Sequence, residues 1–533
     1  MPTFKLDDQD IPFEPGDTVL RAAHRAGVDV PHYCWHPGLS VAANCRMCLV
    51  ELLPPPGRGA LMLDVLRWDP ALGEYVKERK PKLVPGCQQP VAEGMEVRSA
   101  TSEHVTKARS AVQELLLLNH PVDCPICDQA GECRLQDYWL EHQAKSKRMR
   151  DEPVHKPKAV RFGPTIVYDA ERCIICTRCV RFSAEVAKDP VLSVRERGNL
   201  NEIVVAPGRE LDHGYTLMTE YVCPVGALTA VDFRFKARVW FLRSAAAVCQ
   251  GCATGCNAWL DYDPRSHTVF RHRPRENAAV NRWWMCDEGM LDYRRVHEGR
   301  VLEAYVDGQP SELDPAVLEA AKRLRGVAPE RMGVVLSAQC SNEDNFAMVE
   351  LARRWIGTGN LYLAGRAGGA ADGVLRHEDR NPNAAGARAV ASTLDPRAPA
   401  ELAADIESGK VTHVLALGAE LGDPALAGCL ETAEQLIALA AWQGPLVGAA
   451  GVVLPIASWA ESEGTFVNAA GLAQRSEKAI GIQGDAHPAW RVVAAVGRGL
   501  GHAMNWRRLA DVRRAMDNEA GAIVADAPAL EAR

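Results

Sequence analysis

Fifteen of the 17 cysteines in this 533-residue chain lie before residue 287, and they fall into four groups. The first is Cys34, Cys45, Cys48 and Cys87, spaced C-x10-C-x2-C-x38-C. The second is Cys124, Cys127 and Cys133 with His120 ahead of them, spaced H-x3-C-x2-C-x5-C. The third is the run Cys173, Cys176, Cys179, closed by Cys223. The fourth is Cys249, Cys252, Cys256 and Cys286, spaced C-x2-C-x3-C-x29-C. Intervals this short let one loop present three ligands to a single inorganic core, as in iron–sulfur clusters. Four complete sets with no shared cysteine describe a wire for single electrons, which needs no substrate pocket of its own.

Two plainer readings compete. Zinc takes the same thiolates and rivals iron for the first set and above all for the fourth, while unligated core thiols are the plainer reading of the first and third. His120 taken alone reads as a solvated histidine at a helix end. Its place just ahead of Cys124 makes it a candidate ligand, and a neutral imidazole in place of a thiolate should raise the reduction potential of that site. Cys340 and Cys429 stand alone in apolar stretches and read as inert core residues.

The composition sets bounds. At 533 residues the chain should hold several domains. With 24% charged residues, a net charge of −7 and a pI near 6.1, it gives no support for a nucleic-acid partner. No apolar run approaches the ~20 residues that span a bilayer, and the opening Met1-Pro2-Thr3-Phe4-Lys5 has no signal-peptide pattern. In a reducing cytosol, clustered cysteines mean metal more often than disulfides.

Other elements must position these ligands. Residues 1–20 predict two short strands around Asp7-Asp8 and Pro15-Gly16, followed by a helix over 18–26 with Val19, Leu20, Ala22, Ala23 and Ala26 as its apolar stripe. A loop carries Cys34 to Cys48, and a strand follows. Residues 54–82 read as an insertion opened by Pro54-Pro55-Pro56-Gly57. Residues 101–119 predict an amphipathic helix ending in four leucines, and 146–158 a polar connecting arm. After Cys286, apolar runs such as Met332 to Ser337 and Val411 to Gly418 alternate with helical stretches at 344–355 and 398–408. This is an α/β pattern with a largely parallel sheet. The glycine-rich Ala364 to Gly373 does not form a nucleotide-binding G-x-G-x-x-G and reads as a loop. The last ~30 residues predict a helix and a loose tail.

The first set, with its strand–strand–helix lead and the segment Gly86-Cys87-Gln88-Gln89-Pro90-Val91, resembles the β-grasp [2Fe–2S] domain of respiratory complex I and the iron-only hydrogenases. The gap before Cys87 is longer than usual there. The second set resembles the one-histidine, three-cysteine [4Fe–4S] site that follows that domain in the same families. In two-cluster bacterial ferredoxins each three-cysteine run is followed after three residues by Cys-Pro. Here Ser183 stands at that spacing after Cys179. His213, Thr216 and Thr219 stand where Cys223-Pro224 would call for cysteines. One cluster of an ancestral pair is thus missing, as in the large iron–sulfur subunits of complex I. The fourth set resembles the [4Fe–4S] site of molybdopterin oxidoreductases, as does the segment Glu463 to Asn468 with Gln474 beyond. Only 236 residues follow His297 (533 − 297), and no molybdenum ligand is recognisable.

The resemblance is to the large iron–sulfur subunit family of bacterial NADH-quinone oxidoreductases, and it covers almost the whole chain. It implies a multidomain α+β and α/β chain. The divisions would be a β-grasp [2Fe–2S] domain at 1–100, the one-histidine [4Fe–4S] domain at 101–140 and a ferredoxin-like [4Fe–4S] domain at 141–240. A [4Fe–4S] domain at 241–297 and a truncated molybdopterin-oxidoreductase-like part at 298–533 would complete it. One [2Fe–2S] and three [4Fe–4S] clusters follow, with no molybdopterin. Electrons would come from a flavin- and NADH-binding partner among other peripheral-arm subunits and leave towards quinone, with the fourth cluster as a side site. The chain would sit peripherally on the cytoplasmic side of the inner membrane, touching it only through partners. The competing functions are a molybdenum-dependent formate dehydrogenase, a subunit of an NAD-reducing hydrogenase and a zinc-stapled scaffold.

Overall fold

A computed structural model describes residues 1–53, 62–146, 148–391 and 394–520. The chain divides into two compact units, Met1–Trp240 and Phe241–Arg533.

The first unit opens with a hairpin, Thr3–Leu6 against Gln9–Pro12, turning at Asp7-Asp8. The helix Val19–Arg25 follows, capped by the Thr18 hydroxyl, which accepts from Arg21 N. Such a cap is worth ~1 kcal/mol. Its buried side is Val19, Leu20, Ala22 and Ala23, as the apolar spacing requires. That side packs on a five-stranded mixed sheet with Phe4, Leu6, Val50 and Val97, the arrangement expected of a β-grasp domain. Cys48 and Cys87 belong to this same core. The described part of the insertion is a separate hairpin, Met62–Asp69 against Glu74–Pro81, which joins no other sheet. Pro54 to Gly57 lie outside the described residues.

The long helix of the first unit is Glu103–Leu117, with Ser102 as its N-cap. Its buried side is not set by the leucines at its end. Val105, Arg109 and Gln113, spaced i, i+4, i+8, face inward, while Leu115 is 66% exposed. The reason is polar. Arg109 donates to the carbonyls of Met47 and Leu49 and to Ser99 Oγ. Gln113 accepts from Tyr33 Oη and donates to Leu135 O. These bonds tie the helix to the first cysteine loop and to the helix Arg134–His142, and burial without them would be costly.

The second unit opens with an antiparallel three-stranded sheet, Arg243–Val248, Asn257–Asp263 and Thr268–Pro274. The following α/β part has a seven-stranded sheet whose strands Leu361–Ala364, Met332–Ser337, His413–Leu417, Gln435–Ala440 and Val452–Pro455 lie side by side and parallel. Alternate residues enter two separate cores: Val334, Leu336, Leu415 and Leu417 on one face, Val335, Val414, Ala416 and Leu436 on the other. Burial on both faces explains why these strands read as unbroken apolar runs. Ala364 ends a strand, and the glycine-rich stretch after it is a loop. The helix Leu509–Ala520 follows the last α/β helix, and the tail beyond it lies outside the described residues. Among the described residues no helix is long and apolar enough to cross a membrane.

Candidate metal centres

The first four cysteines sit on a loop and a strand end packed into the β-grasp core. The loop bends through positive φ at Ala43 (51°) and Arg46 (60°). This turns the N–H groups of Asn44 and Cys45 toward the Cys34 sulfur. Cys34 shares a hydrogen bond with Cys45, and Cys48 shares another with Cys87. Each pair feels the charge of the other. A two-iron core takes one such pair per iron. The bond with Cys45 holds the Cys34 thiol below the usual value, and the bond with Cys87 pushes Cys48 well above it.

The second group lies on a short turn, Cys124–Ile126, and on the N-cap of Arg134–His142, which is Cys133. Cys124, Cys127 and Cys133 are close enough to perturb one another electrostatically. His120 lies at the end of the long helix. Burial, helped by the charge of Arg172, brings its imidazole down to about 4, so it is neutral at pH 7. Its Nδ1 is buried without a hydrogen-bond partner. A neutral ring with an unpartnered nitrogen suits a metal ligand. The cradle is tight: a Cβ on Gly226 would lie 2.2 Å from the Cys127 sulfur.

Cys173, Cys176, Cys179 and Cys223 line one cavity with Tyr168, Ile203 and Ala227. Ile175 and Thr177 take positive φ of 51° and 60°, which folds the run back on itself. Ile175 N points at the Cys173 sulfur at 3.4 Å. Burial pushes the Cys173 and Cys176 thiols to about 11 and Cys223 to about 12, so a metal must displace protons to bind here. The positions where a two-cluster ferredoxin would carry further cysteines are filled by ordinary polar packing. Ser183, Thr216 and Thr219 are buried; Ser183 bonds the Asp189 carbonyl, and Thr219 donates to Thr216 O at 2.6 Å.

Within this unit the third group lies between the other two. Arg181 donates to the carbonyls of both Cys34 and Cys176, and Asn44 Nδ2 donates to Ile175 O at 3.0 Å. On the other side, Arg134 N donates to Pro224 O, the residue after Cys223, and the Cys133 sulfur lies 4.0 Å from that carbonyl.

Cys249, Cys252, Cys256 and Cys286 line a second cavity, in the other unit, with Glu288, Leu375, Arg376 and Arg380. A hairpin carries the first three, and Cys249 N bonds Cys256 O at 2.8 Å. Gly289 is required: a Cβ there would meet the Cys249 sulfur at 2.9 Å. The segment 464–476 anchors this hairpin. Gln474 donates to Gly255 O and accepts from Asn257 Nδ2, while Asn468 Nδ2 donates to Thr254 O. The segment after the glycine-rich loop lies against it, with Ala253 N on Asp379 O and His377 N 3.5 Å from the Cys252 sulfur.

Among the described residues, no three His, Cys, Asp or Glu side chains stand close enough together for a single metal ion. The thiols of the third and fourth groups instead ring a cavity, and a multi-iron core offers a separate iron to each thiolate. Cys340 packs against the larger apolar core of the α/β part, as expected. It also lines a cavity at the carboxyl ends of the parallel strands, with Ser337, Asp344, Glu420 and Trp459. Burial pushes its thiol to about 12. Cys429 is a core residue.

Four family models match. Residues 1–102 match a 2Fe-2S iron-sulfur cluster binding domain, and 109–148 the iron-sulfur binding region of NADH-ubiquinone oxidoreductase-G. Residues 163–229 match the ferredoxin-like domain of NADH-quinone oxidoreductase subunit 3, and 327–498 molybdopterin oxidoreductase. The G subunit of NADH-quinone oxidoreductase from Streptomyces coelicolor is 32% identical over 68% of this chain, and that of Rickettsia conorii 32% over 67%. This chain belongs to the family of large iron–sulfur subunits of NADH-quinone oxidoreductase. It is a multidomain chain with 2Fe–2S, 4Fe–4S and molybdopterin-oxidoreductase-like parts. It spans 41% of the Streptomyces relative and 50% of the Rickettsia one. A solved NAD+-reducing [NiFe]-hydrogenase chain is 30% identical, covering 45% of this chain and 91% of its own, with a TM-score of 0.36.

Proposed function

We propose that this chain is an iron–sulfur electron-transfer subunit of an NADH-quinone oxidoreductase, passing single electrons from a flavin-bearing partner towards quinone. It would lie peripherally at the cytoplasmic face of the inner membrane, held there by partner subunits. The ligand sets are the four groups described: Cys34, Cys45, Cys48 and Cys87 for [2Fe–2S]; His120, Cys124, Cys127 and Cys133; Cys173, Cys176, Cys179 and Cys223; and Cys249, Cys252, Cys256 and Cys286 for [4Fe–4S]. The domains would divide near residues 100, 140, 240 and 297.

The observation that carries this reading is the order of the first three groups. The third is tied to the first through the side chains of Arg181 and Asn44 and to the second through a backbone bond, so one unit offers three successive stops. The clusters, when bound, accept and release one electron each. The residues here hold them at fixed separation, exclude water and aim N–H groups at sulfur. The fourth group is proposed as a structural side site.

Anaerobic quantitation of iron, sulfide, zinc and molybdenum on the purified chain tests the proposal. About 14 irons per chain are expected, two from the first set and four from each of the others. About ten irons with stoichiometric zinc would make one four-iron set a zinc site. One molybdenum per chain would favour the formate-dehydrogenase reading, and zinc without iron the scaffold.

A further inference from the structure

Positive charge stands beside each cysteine group, and carboxylates neutralise part of it. Arg172, beside the second group, pairs with Asp123 and Asp169. Arg376 and Arg380, lining the fourth cavity, both reach Glu288. Arg178 and Arg181 differ. They lie one helical turn apart on Arg178–Glu185, the helix that carries Cys179, and neither has a carboxylate within ion-pair distance among the described residues. Glu185, one turn further, is taken by the N–H and hydroxyl of Ser40.

What these guanidinium groups meet instead is backbone carbonyls and thiols. Arg178 donates to Trp35 O at 2.5 Å and Val222 O at 3.3 Å, the residue after Cys34 and the residue before Cys223. Its Nε is buried without a partner. Cys34 and Cys45 feel its charge from one side, Cys176 and Cys223 from the other. Arg181 holds the Cys34 and Cys176 carbonyls and acts on both of those sulfurs. Arginine keeps its charge in proteins, and a partly buried cation without a counter-charge is unfavourable. A two-iron or four-iron core with four thiolates carries net negative charge, and each one-electron reduction adds one more negative unit.

We propose that Arg178 and Arg181 are positioning residues that act as the shared counter-charge of the first and third clusters, raising both reduction potentials together. This inference rests on the ligand sets proposed above. A fixed cation between two anionic sites stabilises the reduced form of each, and the unpartnered Nε–H of Arg178 is a donor available to cluster sulfur.

The test is a dithionite titration of the full chain with redox mediators, read by EPR, which follows each cluster separately. Arg178→Gln should make reduction of both the first and third clusters about tenfold less favourable, 59 mV downward for a one-electron couple. The second cluster should not move. Arg178→Lys should keep both potentials near the wild-type values, because it keeps the charge. A Gln variant in which only one potential falls, or neither, overturns the sharing, as does a Lys variant that falls equally. If Arg178→Gln fails to load clusters, Arg181→Gln is read on the same criteria. Failure of both Gln variants with both Lys variants loading would support the charge role, and failure of the Lys variants as well would overturn it in favour of packing. Wild-type protein without [2Fe–2S] and [4Fe–4S] signals would instead sink the parent reading, so the two failures are told apart.

Discussion

His120 shows what one residue contributes. Its neutral ring, with Nδ1 unpartnered, offers a ligand without charge, so His120→Cys should keep a [4Fe–4S] cluster but lower its potential, by adding a thiolate charge. His120→Ala should abolish or alter the second cluster's EPR signal; an untouched signal and potential would remove His120 from the ligand set. Gly226 makes the complementary point. With a Cβ 2.2 Å from the Cys127 sulfur, Gly226→Ala should empty the second site while the first keeps its iron. Iron counts of about ten in the variant would agree with that, and an unchanged count would show that the cradle yields. The cysteines stood out as candidate ligands because ligand loops are local and their spacing survives in one dimension. Gly226 gave no such signal: it meets Cys127 only because Cys223 and its neighbours fold across 99 positions of chain (226 − 127).

The antiparallel sheet of the second unit shows how an element depends on charges its sequence does not advertise. Asp261 is 1% exposed in the middle strand. Burial alone would push its carboxyl up. The charges of Arg273 and Arg271, with a 2.6 Å hydrogen bond from Ser244, overcome this and hold it well below the usual carboxylate range. A depressed folded value means this stabilisation is present above the unfolded value near ~3.9 and is lost as pH falls below it. Hydrogen exchange should therefore show the 243–274 sheet losing protection on acidification below about pH 4. Asp261→Asn should weaken the element by about 3 kcal/mol at neutral pH, since two arginines lose their counter-charge. Urea unfolding measures it, and a variant that melts with wild type would show the arginines re-pair. Elements themselves were largely readable. Thr18 and the stripe of Val19, Leu20, Ala22 and Ala23 marked a helix, and unbroken apolar runs marked strands buried on both faces. The helix Glu103–Leu117 was readable as a helix, but not by its buried side. Arg109 and Gln113 are interior because carbonyls and Tyr33 satisfy them, which no periodicity records.

For the molecule as a whole, electron path and side site should respond differently to the loss of a ligand. In an assembled complex, Cys176→Ala should abolish NADH-to-quinone transfer while NADH-to-ferricyanide activity survives, because a hop fails when an intermediate stop is lost. Cys252→Ala should reduce assembly or stability, since a lost metal site is lost folding free energy, and complex that does assemble should turn over normally. Assembled Cys252→Ala complex unable to reduce quinone would put the fourth cluster on the path. By itself the sequence marked the candidate ligands and their grouping into four sets, the β-grasp lead and the parallel α/β part. Each rests on short-range spacing or periodicity. Only the tertiary structure decided that the third group stands between the first and second, and that Arg178 and Arg181 share their space without carboxylates. It also decided that residues 464–476 brace the fourth hairpin more than 200 positions away, with Gln474 bonded to Asn257. Those relations join residues distant in the chain, and the packing that brings them together leaves no interval to read.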